Sequence, residues 1–160
     1  MLRRQLFTLL GGIGLARQTM AAPGATEAPR VEALHLTDSQ WKQRLSATQY
    51  YVLRKEGTEA SHTSALNSES RKGTYLCAGC DAPLFASDAK FDSGTGWPSF
   101  FTALPGAVET KLDMFLIFPR TEYHCLRCGG HQGHVFGDGP KPTGKRYCNN
   151  GVALKFVASS

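Results

Sequence analysis

Apolar residues recur at two different periods along this chain, and the change comes near Gly73. Before it, "LTDSQWKQRLS" carries Trp41 and Leu45 four residues apart, a spacing that places both on one helical face. Thr37 or Asp38 is positioned to cap the first turn of that helix. "ATQYYVLRKEG" allows a second short helix, closed by Gly57. After Gly73, short runs rich in aromatic and branched residues take over: "TYLC", "MFLIF", "EYHC", "HVF", "RYC" and "VALKFV". Gly- and Pro-rich turns separate them, which predicts strands. The expected class is α+β, mostly β, with a small helical N-terminus. No internal repeat is present beyond two Cys-x-x-Cys turns.

The first 36 residues have a different texture. A basic head with Arg3 and Arg4 precedes "LFTLLGGIGLA", an apolar stretch of 11 residues, and small residues follow in "TMAAPGA". That stretch is too short to span a bilayer and has the layout of an export signal, with cleavage expected near Ala21. The "RRQLF" start resembles a twin-arginine signal, although Leu2 stands where that pattern usually has Ser or Thr. Residues 22–36 read as a disordered linker, since "APGATEAPR" is rich in Ala, Pro and Gly. The expected location is the periplasm. The expected domain covers 37–158: with 41% hydrophobic residues, the chain can bury one core but not two.

Most of the formal charge of +5 belongs to the leader. The full chain has 18 basic and 13 acidic residues, and Arg3, Arg4 and Arg17 all lie in residues 1–21. The remainder is weakly basic, so nothing demands a nucleic acid partner.

Five cysteines carry the candidate chemistry. "CAGC" holds Cys77 and Cys80, and "CLRC" holds Cys125 and Cys128. Two thiolates from each turn supply the tetrahedral sulfur set that zinc prefers, one ion per chain. The gap of 44 residues between the pairs is far longer than in a plain zinc ribbon. The ion would clip together the ends of a long insertion, and with four protein ligands it would be structural. Two disulfides are the competing reading in an exported protein.

Cys148 stands alone in "GKRYCNN". If this is a strand, Arg146, Cys148 and Asn150 share one face, and the guanidinium favours a nucleophilic thiolate. "GGHQGHVFGDG" places His131 and His134 three apart in a glycine-rich loop, where both can move protons near neutral pH. A small buried thiol and two solvated histidines are the bland alternative. "FDSGTGWPSFF" sets Trp97 between Gly96 and Pro98, either as a presented apolar wall or as a core tryptophan.

Together, "YYVLRKEGTE", "CAGC", "SGTGWPSF" and "CLRCGGHQGHVFGDGPKPTGKRYCNN" resemble the B-type methionine sulfoxide reductases, in order, across nearly the whole domain. The resemblance implies two antiparallel sheets with N-terminal helices, and a structural zinc. It implies thiol-dependent reduction of the R epimer of methionine sulfoxide in proteins. Cys148 then matches the nucleophile. His131, His134 and Asn150 match residues lining the sulfoxide site, Trp97 the contact to the ε-methyl, and Arg146 and Asp138 positions shaping the pocket. Many family members resolve the sulfenic acid with a second cysteine just before the "GW" pair. Here that residue is Thr95. A one-cysteine enzyme is therefore expected, reduced directly by a thioredoxin-like, glutaredoxin-like or small-thiol donor. A monomer is expected. A zinc-ribbon binding module and a different thiol enzyme, such as a peroxidase, are the alternatives.

Overall fold

The computed structural model describes residues 32–114 and 119–159. The expected export signal, most of the expected linker and nearly all of "MFLIF" lie outside the described residues. Residues 33–36 do not behave as free linker. Leu34 and Leu36 pack against the core, and the Leu34 amide donates to the Arg127 carbonyl at 2.6 Å. Their alternating apolar side chains account for the docking.

Two short helices follow. In α1 (Asp38–Arg44) the cap is Thr37: its hydroxyl accepts from the Gln40 amide and the Gln40 side chain accepts from the Thr37 amide. In α2 (Ala47–Lys55), Ser46 and Gln49 form the same reciprocal box. Glu56, not Gly57, takes the left-handed conformation that ends α2, with φ 55. Gly57 is needed for space, because a Cβ there would meet the Tyr51 ring at 2.2 Å.

Nine strands form two antiparallel sheets among the described residues. They are β1 (Gly73–Cys77), β2 (Pro83–Ala86), β3 (Lys90–Phe91), β4 (Ser99–Phe100), β5 (Val108–Asp113), β6 (Arg120–Cys125), β7 (His131–Phe136), β8 (Arg146–Asn149) and β9 (Leu154–Ala158). One sheet has the order β2-β1-β9 and the other β3-β4-β8-β7-β6-β5. The mostly β class with two antiparallel sheets is as expected. The expected strand "HVF" starts earlier than foreseen: "HQGHVF" is one central strand, so His131 is not in a loop. Pairing with β6 and β8 outweighs the local freedom of its glycines.

The core lies between the sheets and is aromatic. Phe85 stacks on Phe100 at 4.2 Å, Tyr75 meets Phe100 edge-on at 4.9 Å, and Tyr147 meets Tyr123 at 5.2 Å. Phe85 and Phe100 are fully buried. Truncating either to alanine costs about 3–5 kcal/mol.

The cysteine turns sit at the strand ends. β1 runs into the first and β6 into the second. Each closes through an identical bond, from the Asp81 amide to the Cys77 carbonyl (2.9 Å) and from the Gly129 amide to the Cys125 carbonyl (2.8 Å). Both Asp81 and Gly129 adopt positive φ, 61 and 65, which tightens the turn. The N-terminal helices cover this region. Arg44 donates to the Gly79 carbonyl at 2.6 Å and Arg54 to the Cys128 carbonyl at 3.0 Å.

Candidate active site

Strand register assembles the site. Ser99 on β4 pairs with Cys148 on β8, Cys148 with His134 on β7, His134 with Glu122 on β6, and Glu122 with Lys111 on β5. Residues directly opposite in antiparallel strands share a face. One polar row therefore crosses the sheet, with the thiol and an imidazole as immediate neighbours. An extra residue at Gln132 shifts the β6–β7 register so that His124 pairs with His131. That bulge puts His131 on the same face as His134, although three positions along a regular strand would place them on opposite faces. Gly133 permits the close approach, since a Cβ there would meet the Cys148 carbonyl at 1.9 Å.

Cys148, His134, Trp97, Arg120, Phe136, Thr58 and Asn150 line a small cleft of about 120 Å³. Trp97 is half-buried and held by a bond from its indole N–H to the Glu59 carbonyl at 3.2 Å. It is a presented wall, not a core tryptophan. His134 Nε2 lies 3.0 Å from Asp113 Oδ2, which also accepts from Arg120 at 2.7 Å. Asn150 lies beyond the end of β8, and its amide is committed to the backbone. It accepts from the Glu59 amide at 2.9 Å and donates to the Gln132 carbonyl at 3.0 Å. His131 does not line the cleft. It is 1% exposed, its ring 5.5 Å from that of His134. Burial, with the nearby His124 and His134 rings, pushes its pKa down to about 4, so it is neutral at neutral pH.

Arg146 and Asp138 form a two-bond pair at 2.9 Å on the flank of the cleft, with the Arg146 guanidinium 4.4 Å above the Phe136 ring. Burial pushes the Cys148 thiol above its usual pKa, opposed by the Arg146 charge and by hydrogen bonds from Thr95 and Arg146, while Asp138 adds to the rise. The resting group is thus a thiol, and the guanidinium moderates a burial penalty instead of creating a stable thiolate. Alkylation of Cys148 by iodoacetamide should accelerate with rising pH. At about pH 8, Arg146→Gln should be roughly three- to tenfold slower and Asp138→Asn faster, read as second-order rates across a pH series.

Sequence reasoning overlooked Glu59. Its buried carboxylate accepts from the Gly151 amide and from the Val152 amide (3.0 Å), while its own backbone holds Asn150 and Trp97. Nothing local in "KEGTEA" signals this role, because its partners lie some 90 positions away. Glu59→Ala strands the buried Gly151 amide and the part-buried Val152 amide, and urea unfolding should show a loss of about 3 kcal/mol. Arg120 and Glu122 were also overlooked. Their signal was the every-second-residue spacing on one strand face.

The four paired cysteines are buried and mutually close. Cys77 Sγ lies 3.7 Å from Cys128 Sγ, and Cys80 Sγ 3.5 Å from Cys125 Sγ, with all four sulfurs within 4.8 Å of one another. Sulfurs around a tetrahedral ion at about 2.3 Å stand about 3.8 Å apart, so this set fits a metal ion. Gln132 donates to Cys77 Sγ at 3.3 Å, which ties the metal site to β7.

An accessible thiol beside an imidazole, walled by an indole and carried on a cysteine-stapled pair of sheets, defines a thiol-dependent enzyme class. Residues 45–158 match the model of the SelR domain. The chain belongs to the family of B-type methionine sulfoxide reductases. It is 45% identical over 156 residues to "Peptide methionine sulfoxide reductase B1, chloroplastic" of Arabidopsis thaliana, covering 97% of this chain and 77% of that one. It is 51% identical over 121 residues to "Peptide methionine sulfoxide reductase MsrB" of Leptospira interrogans, covering 75% and 92%. The protein of the same description from Agrobacterium fabrum is 50% identical over 121 residues, covering 75% and 90%.

Proposed function

We propose that this chain reduces the R epimer of methionine sulfoxide in oxidised proteins, with Cys148 as nucleophile. The observation that carries the reading is the direct pairing of Cys148 with His134 in a cleft walled by Trp97. The sulfoxide's methyl packs on the Trp97 indole. Cys148 sulfur attacks the sulfoxide sulfur as a proton passes to the oxygen. The oxygen then passes from the methionine sulfur to the Cys148 sulfur as the new S–S bond breaks, so methionine leaves with the electron pair and Cys148 is left as a sulfenic acid. His134 is the proton donor, because it lines the cleft and is oriented by Asp113. His131 acts behind it, through ring contact, and Asn150 fixes the backbone under the thiol.

Thr95, beside Cys148, has no sulfur to offer. An external thiol therefore attacks the sulfenic sulfur, releasing water and leaving a mixed disulfide. A second thiol releases Cys148 and takes away the oxidised donor. A thioredoxin-like, glutaredoxin-like or small-thiol reductant fits this sequence. The metal at Cys77, Cys80, Cys125 and Cys128 is a zinc ion that holds the fold, all four positions being filled by protein. No helix among the described residues is long and apolar enough to cross a membrane. With the leader of residues 1–21, we place the working enzyme in the periplasm as a monomer that repairs exported proteins.

The test offers residues 22–160 each epimer of a peptide-bound methionine sulfoxide separately, with dithiothreitol as reductant. Turnover of the R epimer alone is expected. Equal turnover of both epimers, or of neither with the metal bound, overturns the reading. Trp97→Ala should raise KM by roughly tenfold or more, the loss of one good apolar contact in a pocket.

A further inference from the structure

Beside the reacting pair, the bulge in β7 gathers three further side chains. Glu122, His124 and His131 are 3%, 8% and 1% exposed. Glu122 Oε1 lies 3.3 Å from His124 Nε2, and Oε2 lies 3.2 Å from His131 Nδ1. Neither contact is aligned as a hydrogen bond. His124 Nε2, His131 Nδ1 and His131 Nε2 are all buried without a hydrogen-bond partner. Buried polar atoms left so cost about 1–3 kcal/mol each, and three in one place call for an explanation.

The His124 ring supplies one. Its Nδ1 lies 3.2 Å from the Gly129 carbonyl, an acceptor to which the ring must donate. In the neutral ring Nε2 then carries the lone pair, and it faces a carboxylate, which is also an acceptor. An imidazole oriented by a backbone carbonyl through its other nitrogen is the usual arrangement of a metal-binding histidine. The spacing is within reach of one ion: one donor atom from each of the three residues lies within 4.8 Å of the others, and donors around a tetrahedral ion at about 2.0–2.1 Å stand about 3.3 Å apart. One member of the set borders the surface, because Glu122 lines a groove with His134, Tyr51, Lys55 and Glu56.

We propose that Glu122, His124 and His131 bind a second divalent transition ion of the zinc type, distinct from the ion at the four cysteines. Two imidazoles and a carboxylate suit a borderline ion with one position left for water. Lys111 competes for the same carboxylate, its ammonium lying 3.0 Å from Glu122 Oε1. It is exposed and also pairs with Glu56 at 3.2 Å, so it can yield.

The measurement is zinc content after equilibrium dialysis of the full chain against buffered micromolar zinc. A Cys148→Ser background removes the remaining thiol as a ligand. Two zinc ions per chain are expected, falling to one in His124→Ala, with the cysteine-held ion retained. Lys111→Gln should lower the zinc concentration needed for the second ion by roughly tenfold, since it removes a competing charge. The proposal is overturned if His124→Ala keeps both ions. It is also overturned if neither the starting protein nor Lys111→Gln takes up a second ion. Because the readout is metal content, its outcome does not depend on the reductase reading.

Discussion

Replacing Cys148 with serine should abolish sulfoxide turnover, by roughly 10⁴-fold or more, the scale on which enzymes lose rate when a covalent nucleophile is removed. Serine keeps the size and the strand position, so the pairing with Ser99 and His134 should persist. What disappears is the sulfur that attacks sulfur and then holds the oxygen. The variant should melt at nearly the same temperature as the parent, because Cys148 is absent from the buried core. Turnover with dithiothreitol, read beside a thermal melt, checks both halves. A variant that keeps more than a few per cent of the rate would remove Cys148 from the mechanism. His134→Asn is the companion. If that imidazole delivers the proton, the rate falls by roughly 10²–10⁴-fold while KM stays close to the parent value.

Stripping the metal should unfold the domain. Ions held by four protein donors contribute about 10–16 kcal/mol of apparent binding free energy, whereas a domain of this size is stable by only about 5–15 kcal/mol. Here the four sulfurs join the end of β1 to the end of β6, and so link the two sheets. Without the ion, four buried sulfurs within 4.8 Å of one another must either take up protons or stay ionised with no counter-charge. Circular dichroism after chelation should show loss of the cooperative melt, as should Cys125→Ser without chelator. An apo form melting close to the holo temperature would mean that the aromatic core suffices alone, and that the cysteines do something else.

Much of this was legible in the residues. Helix α1 followed from a cap and two apolar positions, and strands β1, β6 and β8 from short aromatic runs flanked by turns. β2, β3 and β4 were not foreseen. They are two to four residues long and carry too little pattern to show a period. Only the end of β7, "HVF", read as a strand; its start read as a loop because two glycines precede it and one lies inside it, yet its partners on both sides hold the whole segment extended. Asn150 shows the same limit from the other direction. Alternation along an isolated strand placed it on the face of Cys148, and both do line the cleft, but the strand ends at Asn149 and the Asn150 amide is bonded to the backbone.

The cysteine spacing, the lone thiol and the tryptophan between glycine and proline are chemical facts of the chain, and they determined what kind of site to expect. Which imidazole faces the thiol was decided by register. A single extra residue at Gln132 sets His131 and His134 on one face, and burial then separates their roles. The same holds for the thiol: the nearby arginine was visible in sequence, whereas the burial that outweighs it was not. Side-chain type and short spacing are local properties and can be read along the chain. Register, burial and the reach of Glu59 across more than 90 positions arise only when distant strands pair, because they depend on what is close in space.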